Sequence, residues 1–184
     1  MENKTLLPLA LIYLSRGWSV IICGADKRPI LPWREFQERR ATPEELVKWF
    51  SEYPDAQVGI VTGKISNLSV VDLEADGDFN LIKDQTYMVE TGGKGRHLYF
   101  TYDSNFKNAV RILPSVDVRS NGGFVVAPGS TTTKGAYTAL NDLKVSQMSS
   151  RTKEMFLRAS RKQLEPSTPE VVGTLYPKIT NELL

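Results

Sequence analysis

Apolar residues recur at helical spacing in three separate segments of the chain, which predicts three helices. The second helix has a defined start, because Thr42 can cap it, Pro43 suits a first turn and Glu45 completes a capping box. The predicted helices cover residues 5–15, a segment from residue 42 to the stop at Tyr53-Pro54, and residues 150–161.

Between these helices lie short runs rich in β-branched and aromatic residues, each bounded by residues that favour turns. Such runs predict strands, and residues 120–122 predict a hairpin-like link between two of them. Helices before and after a strand-rich middle indicate an α+β fold, with a mixed or antiparallel sheet covered by helices. The predicted strands are residues 18–23, 57–63, 67–74, 87–91, 96–102, 115–119, 123–127 and 137–140.

The composition is that of a globular protein of 184 residues, long enough for one domain or two small lobes. A net charge of +2 is too small to indicate nucleic acid by itself. The single cysteine, Cys23, excludes an internal disulfide framework and favours a reducing, cytoplasmic setting. The apolar run at residues 6–14 is shorter than the roughly 20 residues that span a bilayer, so we expect no membrane partner.

Domain organisation follows from a change of composition near the end of the chain. The segment 165–170 contains two prolines among polar residues, which is typical of a linker. We therefore predict a two-lobed core over residues 1–160 and a linker or tail over residues 161–184.

Asp72 and Glu74 are the first candidate pair for chemistry. Strand side chains alternate between faces, so these two carboxylates share a face, with α-carbons roughly 6.5–7 Å apart. That spacing suits binding of one hard cation, which would relieve the repulsion between the two charges. The alternative is a strand end that runs into solvent, which the acidic turn at residues 76–78 also fits.

Asp117 is the next candidate, because it alternates with two valines and shares a strand face with Arg119. If its strand neighbours the strand of Asp72, three carboxylates meet. Three acidic ligands can hold two Mg²⁺ or Mn²⁺ ions that align an attacking oxygen and neutralise a triphosphate. The alternative is an Asp117–Arg119 surface ion pair, which contributes little energy.

A glycine-rich loop at residues 91–95 precedes the strand that carries the chain's single histidine. Backbone N–H groups of such a loop can approach a phosphate closely, and Lys94 and Arg96 add positive charge. The order of residues differs from that of a Walker loop. His97 could donate a hydrogen bond to a phosphate oxygen, or it could be a structural histidine.

Basic and aromatic residues also alternate before the second helix. Aromatic stacking combined with positive charge is how proteins hold single-stranded nucleic acid. For Arg39 and Arg40, a solvated helix or loop is the favoured alternative. The residues concerned are Lys27, Arg28, Arg34, Arg39 and Arg40, with Trp33 and Phe36 between them.

Taken in order along about residues 5–140, these segments resemble the bifunctional DNA primase/polymerase N-terminal domain of the archaeo-eukaryotic primase superfamily. Each segment alone has low specificity, whereas their joint order is specific. The segments are Gly17-Trp18, Lys27-Arg28-Pro29 with Trp33, residues 58–63, Val71-Asp72-Leu73-Glu74, Gly95-Arg96-His97 with residues 98–100, Val116-Asp117-Val118-Arg119, and residues 126–130.

The resemblance implies that Asp72, Glu74 and Asp117 bind catalytic Mg²⁺ or Mn²⁺ and that His97 and Arg119 contact the triphosphate. It implies an RRM-like catalytic sheet beside a smaller α/β lobe, with the active site in the cleft between them. The implied partners are nucleoside triphosphates, a single-stranded DNA template and primer, and a helicase or accessory helical domain. Further nucleotide contacts are suggested for Gly93, Lys94, Lys27 and Ser130.

The expected activity is template-directed nucleotidyl transfer with release of pyrophosphate. Two other classes stay open from the residues alone. A metal-dependent nuclease could use the same carboxylates, although the Gly-Lys-Gly-Arg-His segment favours a triphosphate substrate. An RRM-like module for single-stranded nucleic acid would need exposed sheet aromatics and no acidic cluster.

Overall fold

The computed structural model describes residues 5–164, and within them the predicted α+β class is confirmed. The helices are α1 (Leu7–Ser15), α2 (Pro43–Glu52) and α3 (Ser150–Leu164), with short 3₁₀ turns at Arg34–Gln37 and Lys64–Ser66. The strands are β1 (Ser19–Cys23), β2 (Gln57–Val61), β3 (Leu68–Leu73), β4 (Tyr87–Glu90), β5 (Arg96–Thr101), β6 (Ala109–Leu113), β7 (Val116–Arg119), β8 (Phe124–Val126), β9 (Thr131–Thr132), β10 (Gly135–Ala136) and β11 (Thr138–Ala139).

Two main sheets organise the described residues, and every pairing between their strands is antiparallel. The larger sheet has the strand order β11-β4-β5-β3-β7-β6, and the smaller has the order β1-β2-β8. The short β9–β10 hairpin stands apart from both. We use the term smaller lobe for the smaller sheet and helix α1, which packs on it.

Strand β3 lies at the centre of the larger sheet, between β5 and β7. Its register aligns Val70 with Tyr99 on one side and Arg119 on the other, and aligns Asp72 with His97 and Asp117. Residues directly opposite each other on antiparallel strands point to the same face. The register thus assigns one face of three neighbouring strands to these side chains.

The first hydrophobic core fills the space between that face and the smaller lobe. Val70 and Tyr99 contribute from the larger sheet, and both are fully buried. Trp18 stacks against Tyr13 of α1 at 5.3 Å and against Tyr99 at 6.0 Å between ring centroids. These rings join the smaller lobe to the larger sheet.

The second core covers the opposite face of the larger sheet. Val71 and Leu98 face it, and α3 closes it with Phe156, which is fully buried. Phe106 meets the Phe156 ring edge to face at 6.2 Å. The larger sheet is therefore covered on both faces.

The predicted start of the second helix is confirmed in atomic detail. The Thr42 hydroxyl accepts a hydrogen bond from the Glu45 N–H at 3.2 Å, and the Glu45 carboxylate accepts one from the Thr42 N–H at 2.8 Å. The helix buries Leu46, Trp49 and Phe50, as its spacing predicts. Local sequence was sufficient here because both capping partners lie within one turn.

The predicted hairpin at residues 120–122 is wrong in its pairing. Strand β7 belongs to the larger sheet and β8 to the smaller one, so this turn carries the chain from one sheet to the other. The turn chemistry is right, since Gly122 has a φ of +79°.

A further difference lies near the end of the described residues. Helix α3 continues to Leu164, beyond the expected boundary at residue 160, and the rest of the predicted linker or tail lies outside the described residues. Across residues 5–164, we find no helix with both the length and the apolar composition needed to cross a membrane.

Candidate functional site

Asp72 is the centre of the candidate site, because its neighbours on both adjacent strands are polar. His97 of β5 lies opposite it on one side and Asp117 of β7 on the other. All three side chains point toward the face shared with Val70 and Tyr99, where the first core ends. The strand register therefore places Asp72 and Asp117 on the same face of the sheet, as expected if their strands are neighbours.

His97 and Asp72 form a close, mostly buried contact. The His97 Nε2 atom lies 3.5 Å from the Asp72 Oδ1 atom, and the side chains are 5% and 20% exposed. Burial disfavours the charged form of Asp72, but His97 together with the positive charges of Arg119 and Lys27 holds the pKa of Asp72 below its ordinary value. The His97 Nδ1 atom is buried without a hydrogen-bond partner among residues 5–164.

Asp117 is held from two directions. Its Oδ1 atom accepts a hydrogen bond from the Arg111 N–H at 2.8 Å, and its Oδ2 atom lies 2.6 Å from an Arg119 guanidinium nitrogen. Arg111 has a φ of +51°, which turns its N–H toward the carboxylate within the irregular β6–β7 pairing. The predicted Asp117–Arg119 pair exists, but Asp117 is buried in the sheet and is not a surface residue.

Glu74 lies just beyond the end of β3 and is exposed, whereas Asp72 lies within the strand. The Glu74 N–H donates to the Ser115 carbonyl oxygen at 2.9 Å, which keeps this residue beside the start of β7. In the part of the chain that the structure describes, no three His, Cys, Asp or Glu side chains are grouped closely enough to hold a metal ion. We call Asp72 and Asp117, which face each other across β3 and β7, the paired centre. Glu74 lies next to it, just after the end of β3.

The glycine-rich loop packs directly against the end of β3. A Cβ atom on Gly95 would lie 2.3 Å from the Leu73 carbonyl oxygen, so only glycine allows this approach. A Cβ atom on Gly92 would lie 2.4 Å from the Gly135 carbonyl oxygen of the β9–β10 hairpin. The loop is thus held between β3 and that hairpin, next to Asp72 and Glu74.

The tip of the same loop is open to solvent. Gly93 is exposed, and Lys94 has a φ of +69° and a side-chain amine 2.8 Å from the Glu90 carboxylate. Arg96 does not point into the site, because its guanidinium stacks over the Phe79 ring at 4.2 Å on the other face of the sheet. The loop therefore offers Lys94 as its exposed cation.

Tyr137 is a site residue that sequence reasoning missed. Its ring lies 5.7 Å from the His97 ring between centroids, and the Lys27 amine lies 5.8 Å from the centre of the Tyr137 ring. Burial and then the negative charge of Asp72 raise the pKa of Tyr137 to about 12. Tyr137 follows a two-residue strand, and nothing in its local sequence links it to Asp72.

Lys27 approaches the site from the smaller lobe. It lies in the turn after β1 with a φ of +71°, and its positive charge contributes to the low pKa of Asp72. The Thr133 N–H donates to the Ala25 carbonyl oxygen at 2.9 Å, which ties this turn to the β9–β10 hairpin. The smaller lobe thus supplies a cation opposite the carboxylates.

Ser130 is fully buried beside Val58 of β2. Its hydroxyl accepts a hydrogen bond from the Val58 N–H at 3.1 Å and donates to the Val58 carbonyl oxygen at 3.3 Å. Both hydrogen-bonding functions of the hydroxyl are therefore used by the protein's own backbone.

In the basic and aromatic segment before α2, Phe36, Arg39 and Arg40 contact other residues of the chain. Phe36 is buried, and Arg39 pairs with Glu35 at 2.7 Å and with Glu45 at 2.8 Å. Arg40 donates to the Ile65 carbonyl oxygen at 2.7 Å. These contacts give Phe36 and Arg39 a structural role.

Comparison with known families gives one match that covers most of the chain. The model of the family described as bifunctional DNA primase/polymerase, N-terminal, matches residues 10–151. A search of curated proteins finds no match. The matched range contains both sheets, Asp72, His97 and Asp117, so the resemblance drawn from the motifs is confirmed over the site. The chain belongs to the bifunctional DNA primase/polymerase N-terminal domain family.

Proposed function

We propose that this chain is a template-directed nucleotidyltransferase that joins nucleoside triphosphates on single-stranded DNA and releases pyrophosphate. The observation that carries the proposal is the in-register row of His97, Asp72 and Asp117 across β5, β3 and β7. It aligns two carboxylates and an imidazole on one sheet face, beside a glycine-rich loop. Family membership supports the same activity.

The donor set of the paired centre suits Mg²⁺ or Mn²⁺. Carboxylate oxygens are hard ligands, and Mg²⁺ in nucleotide-processing sites is commonly held by one or two carboxylates together with substrate phosphates. Asp72 and Asp117 supply two carboxylates, so the pair is sufficient when a triphosphate provides the remaining oxygens. We propose Glu74, at the border of the pair, as a further ligand. The bound cations would neutralise the triphosphate and align the attacking oxygen.

The residues around the carboxylates would position the substrate. We propose that His97 donates a hydrogen bond to a triphosphate oxygen and that Arg119 supplies positive charge beside Asp117. Lys94 pairs with Glu90 at the exposed loop tip, and such surface pairs are weak enough to yield to a phosphate. Lys27 and the Gly93 backbone are further proposed contacts. The attacking hydroxyl would displace pyrophosphate from the α-phosphate.

We further propose that the larger sheet is the RRM-like catalytic sheet and that the triphosphate enters a cleft between it and the smaller lobe. Lys27 and Tyr137 support this, because they approach the Asp72 face from the smaller-lobe side. Single-stranded DNA template, a primer and a helicase or accessory helical domain are the partners that we propose for this activity.

A primer-extension assay with Mg²⁺ or Mn²⁺ tests the function. Each set of ribonucleotides and deoxynucleotides is supplied with and without primer on a single-stranded template. We expect incorporation by the native chain and none by Asp72→Ala. The matched control is Asp76→Ala, which removes an exposed carboxylate from the following turn. Full activity of Asp72→Ala with its fold retained would disprove the proposed mechanism.

A second assay separates polymerase from nuclease. Labelled DNA is incubated with metal and without nucleotides. Cleavage that requires Asp72, together with no incorporation when nucleotides are present, would identify a nuclease. Strong metal-free binding of single strands without incorporation would instead identify a binding module.

A further inference from the structure

A second surface of the molecule has the features of a binding groove. It lies between α3 and the segment that precedes β4, and it encloses about 640 Å³. Helix α3 covers the face of the larger sheet opposite to Asp72, because Val71 and Leu73 point toward α3 while Asp72 points away. The groove is therefore separate from the candidate active site.

The floor of this groove is apolar and accessible. Leu81, Leu113, Met155 and Ala159 line it, and all four are only partly buried while packing on the second core. Methionine is flexible and polarizable, which allows it to adapt to different apolar side chains. The floor can therefore accept apolar side chains of another molecule without rearrangement of the core.

The rim of the groove carries unbalanced positive charge. Lys83, Arg151 and Lys162 line it, and among residues 5–164 none of them forms an ion pair. The two rim carboxylates are already engaged. Asp84 accepts hydrogen bonds from Ser149 and Thr152, and Glu154 pairs with Arg158.

Helix α3 carries a larger net positive charge than the whole chain does. The helix has five Lys or Arg residues and one Glu, which is a net charge of +4, whereas the whole chain has +2. All other residues together therefore carry −2. A local excess of this size favours an acidic partner over a neutral one.

The lining distinguishes between two kinds of acidic partner. Surfaces that hold single-stranded nucleic acid combine positive charge with aromatic rings on which bases stack. Among the described residues that line this groove none is aromatic, and the floor is aliphatic. An apolar floor with a charged rim is instead the arrangement that binds an amphipathic helix.

We propose that the α3 groove binds an acidic amphipathic helix of a partner protein. Apolar side chains at helical spacing occupy the floor formed by Leu81, Leu113, Met155 and Ala159. Flanking carboxylates face Lys83, Arg151 and Lys162. This interaction does not depend on the proposed polymerase activity, since it uses the opposite face of the larger sheet.

The test uses a synthetic helical peptide with leucines at helical spacing and glutamates elsewhere. Its affinity for the full chain is measured by fluorescence anisotropy, beside a scrambled peptide of the same composition. We expect the helical peptide to bind at least tenfold more tightly than the scrambled one. Equal affinities, or no binding, would overturn the proposal.

Two neighbouring residues of α3 provide matched variants. Lys162 lines the groove, whereas Arg161 lies outside it on the same helix. Lys162→Glu should weaken peptide binding about tenfold, because like charges then meet at the rim. Arg161→Glu makes the same change of charge and should leave the affinity nearly unchanged. Equal weakening by both variants would overturn the proposal, because it would reflect only the overall charge.

Three further measurements test the apolar floor of the groove and two other molecules that could bind there, single-stranded nucleic acid and a second copy of the chain. Ala159→Gln places a larger polar side chain in the floor and should also weaken binding about tenfold, with the helix intact by circular dichroism. Competition by a single-stranded oligonucleotide, sensitive to Lys162→Glu, would overturn the proposal in favour of nucleic acid. Self-association lost on the same substitution would overturn it in favour of a second copy of the chain. Primer extension should be unaffected by all three variants.

Discussion

Asp72 and Asp117 lie directly opposite each other on the neighbouring strands β3 and β7, on the same face of the larger sheet. Cβ atoms in such a cross-strand pair are about 4.5–5.5 Å apart, so two ionised carboxylates there repel each other. His97 contacts Asp72 from one side, and Arg119 contacts Asp117 from the other. The fold thus holds an unfavourable acidic pair between an imidazole and a guanidinium, which is expected of a functional centre.

The first prediction concerns Asp117→Asn, which removes one charge of the pair and keeps the shape of the side chain. We expect the thermal midpoint to change by only a few degrees, because the relieved repulsion with Asp72 offsets the lost ion pair with Arg119. Nucleotide incorporation should fall about a hundredfold or more, as when one stabiliser of transition-state charge is lost. Melting curves and primer-extension rates measure the two effects.

The control for this substitution is Asp103→Asn. Asp103 pairs with Lys153 of α3 at 2.8 Å, remote from the Asp72 face. Incorporation should stay near the native rate in this variant. An active Asp117→Asn protein would remove Asp117 from the proposed mechanism.

The second prediction concerns pH. The pKa of Asp72 is held below its ordinary value, so its ionised form stabilises the folded state above its unfolded pKa of about 3.9. This stabilisation is lost as the pH falls through the lower folded value. Asp72→Asn should therefore show a smaller loss of thermal midpoint between pH 5 and acid than the native chain, by calorimetry across that range.

His97→Ala extends the same measurement. Without the imidazole, only the charges of Arg119 and Lys27 still oppose the burial of Asp72, and the pKa of Asp72 should rise. The loss of thermal midpoint between pH 5 and acid should then be smaller in this variant than in the native chain, because less stability depends on the ionised form of Asp72. The same variant should raise the KM for nucleoside triphosphate, and a native KM would count against the role proposed for His97.

The third prediction concerns Tyr137, whose ring contacts both His97 and Lys27. Tyr137→Phe keeps the ring and should retain a nearly native KM. Tyr137→Leu removes the cation–π contact, worth about 0.5–1 kcal/mol, and leaves His97 less constrained, so the KM should rise several-fold. Steady-state extension kinetics of the two variants give the comparison. Similar KM values for both variants would show that the ring has no positioning role.

The fourth prediction compares two glycines of the same loop. A Cβ atom on Gly95 would meet backbone at 2.3 Å, whereas one on Gly93 would lie no closer than 3.7 Å to its neighbours. Gly95→Ala should therefore lower stability by about 1–3 kcal/mol through overpacking and should raise the KM by moving the loop. Gly93→Ala should be tolerated. Urea unfolding and nucleotide titration distinguish them, and equal tolerance of both would disprove the close approach.

Much of the site could be predicted because the alternation of strand side chains is a local property. Asp117 and Arg119 were assigned to one face from their spacing alone, and the two side chains form an ion pair in the structure. The capping box at Thr42 and Glu45 was equally local. In each case the interacting groups lie within a few residues along the chain.

The rest depends on contacts between distant segments. Asp72 and Asp117, which pair across β3 and β7, are separated by 45 positions in the sequence. His97 and Tyr137, whose rings are in contact, are separated by 40 positions. Strand β6 was missed because its pairing is irregular and it contains Arg111 at positive φ. The turn at residues 120–122 has hairpin chemistry, yet only tertiary packing decides that β8 joins the smaller sheet.

The passage of the chain from β7 to β8 has a mechanical consequence. Only four residues separate the larger sheet from the smaller one there, and Asn121 among them binds the Lys64 N–H at 2.8 Å and the Tyr102 hydroxyl at 2.7 Å. Separating the lobes at this point would break both bonds and open the turn, which the Gly123 N–H closes by donating to the Ser120 carbonyl oxygen at 3.0 Å. The connection therefore anchors the end of the smaller sheet that carries Phe124 and Val61 to the end of β7.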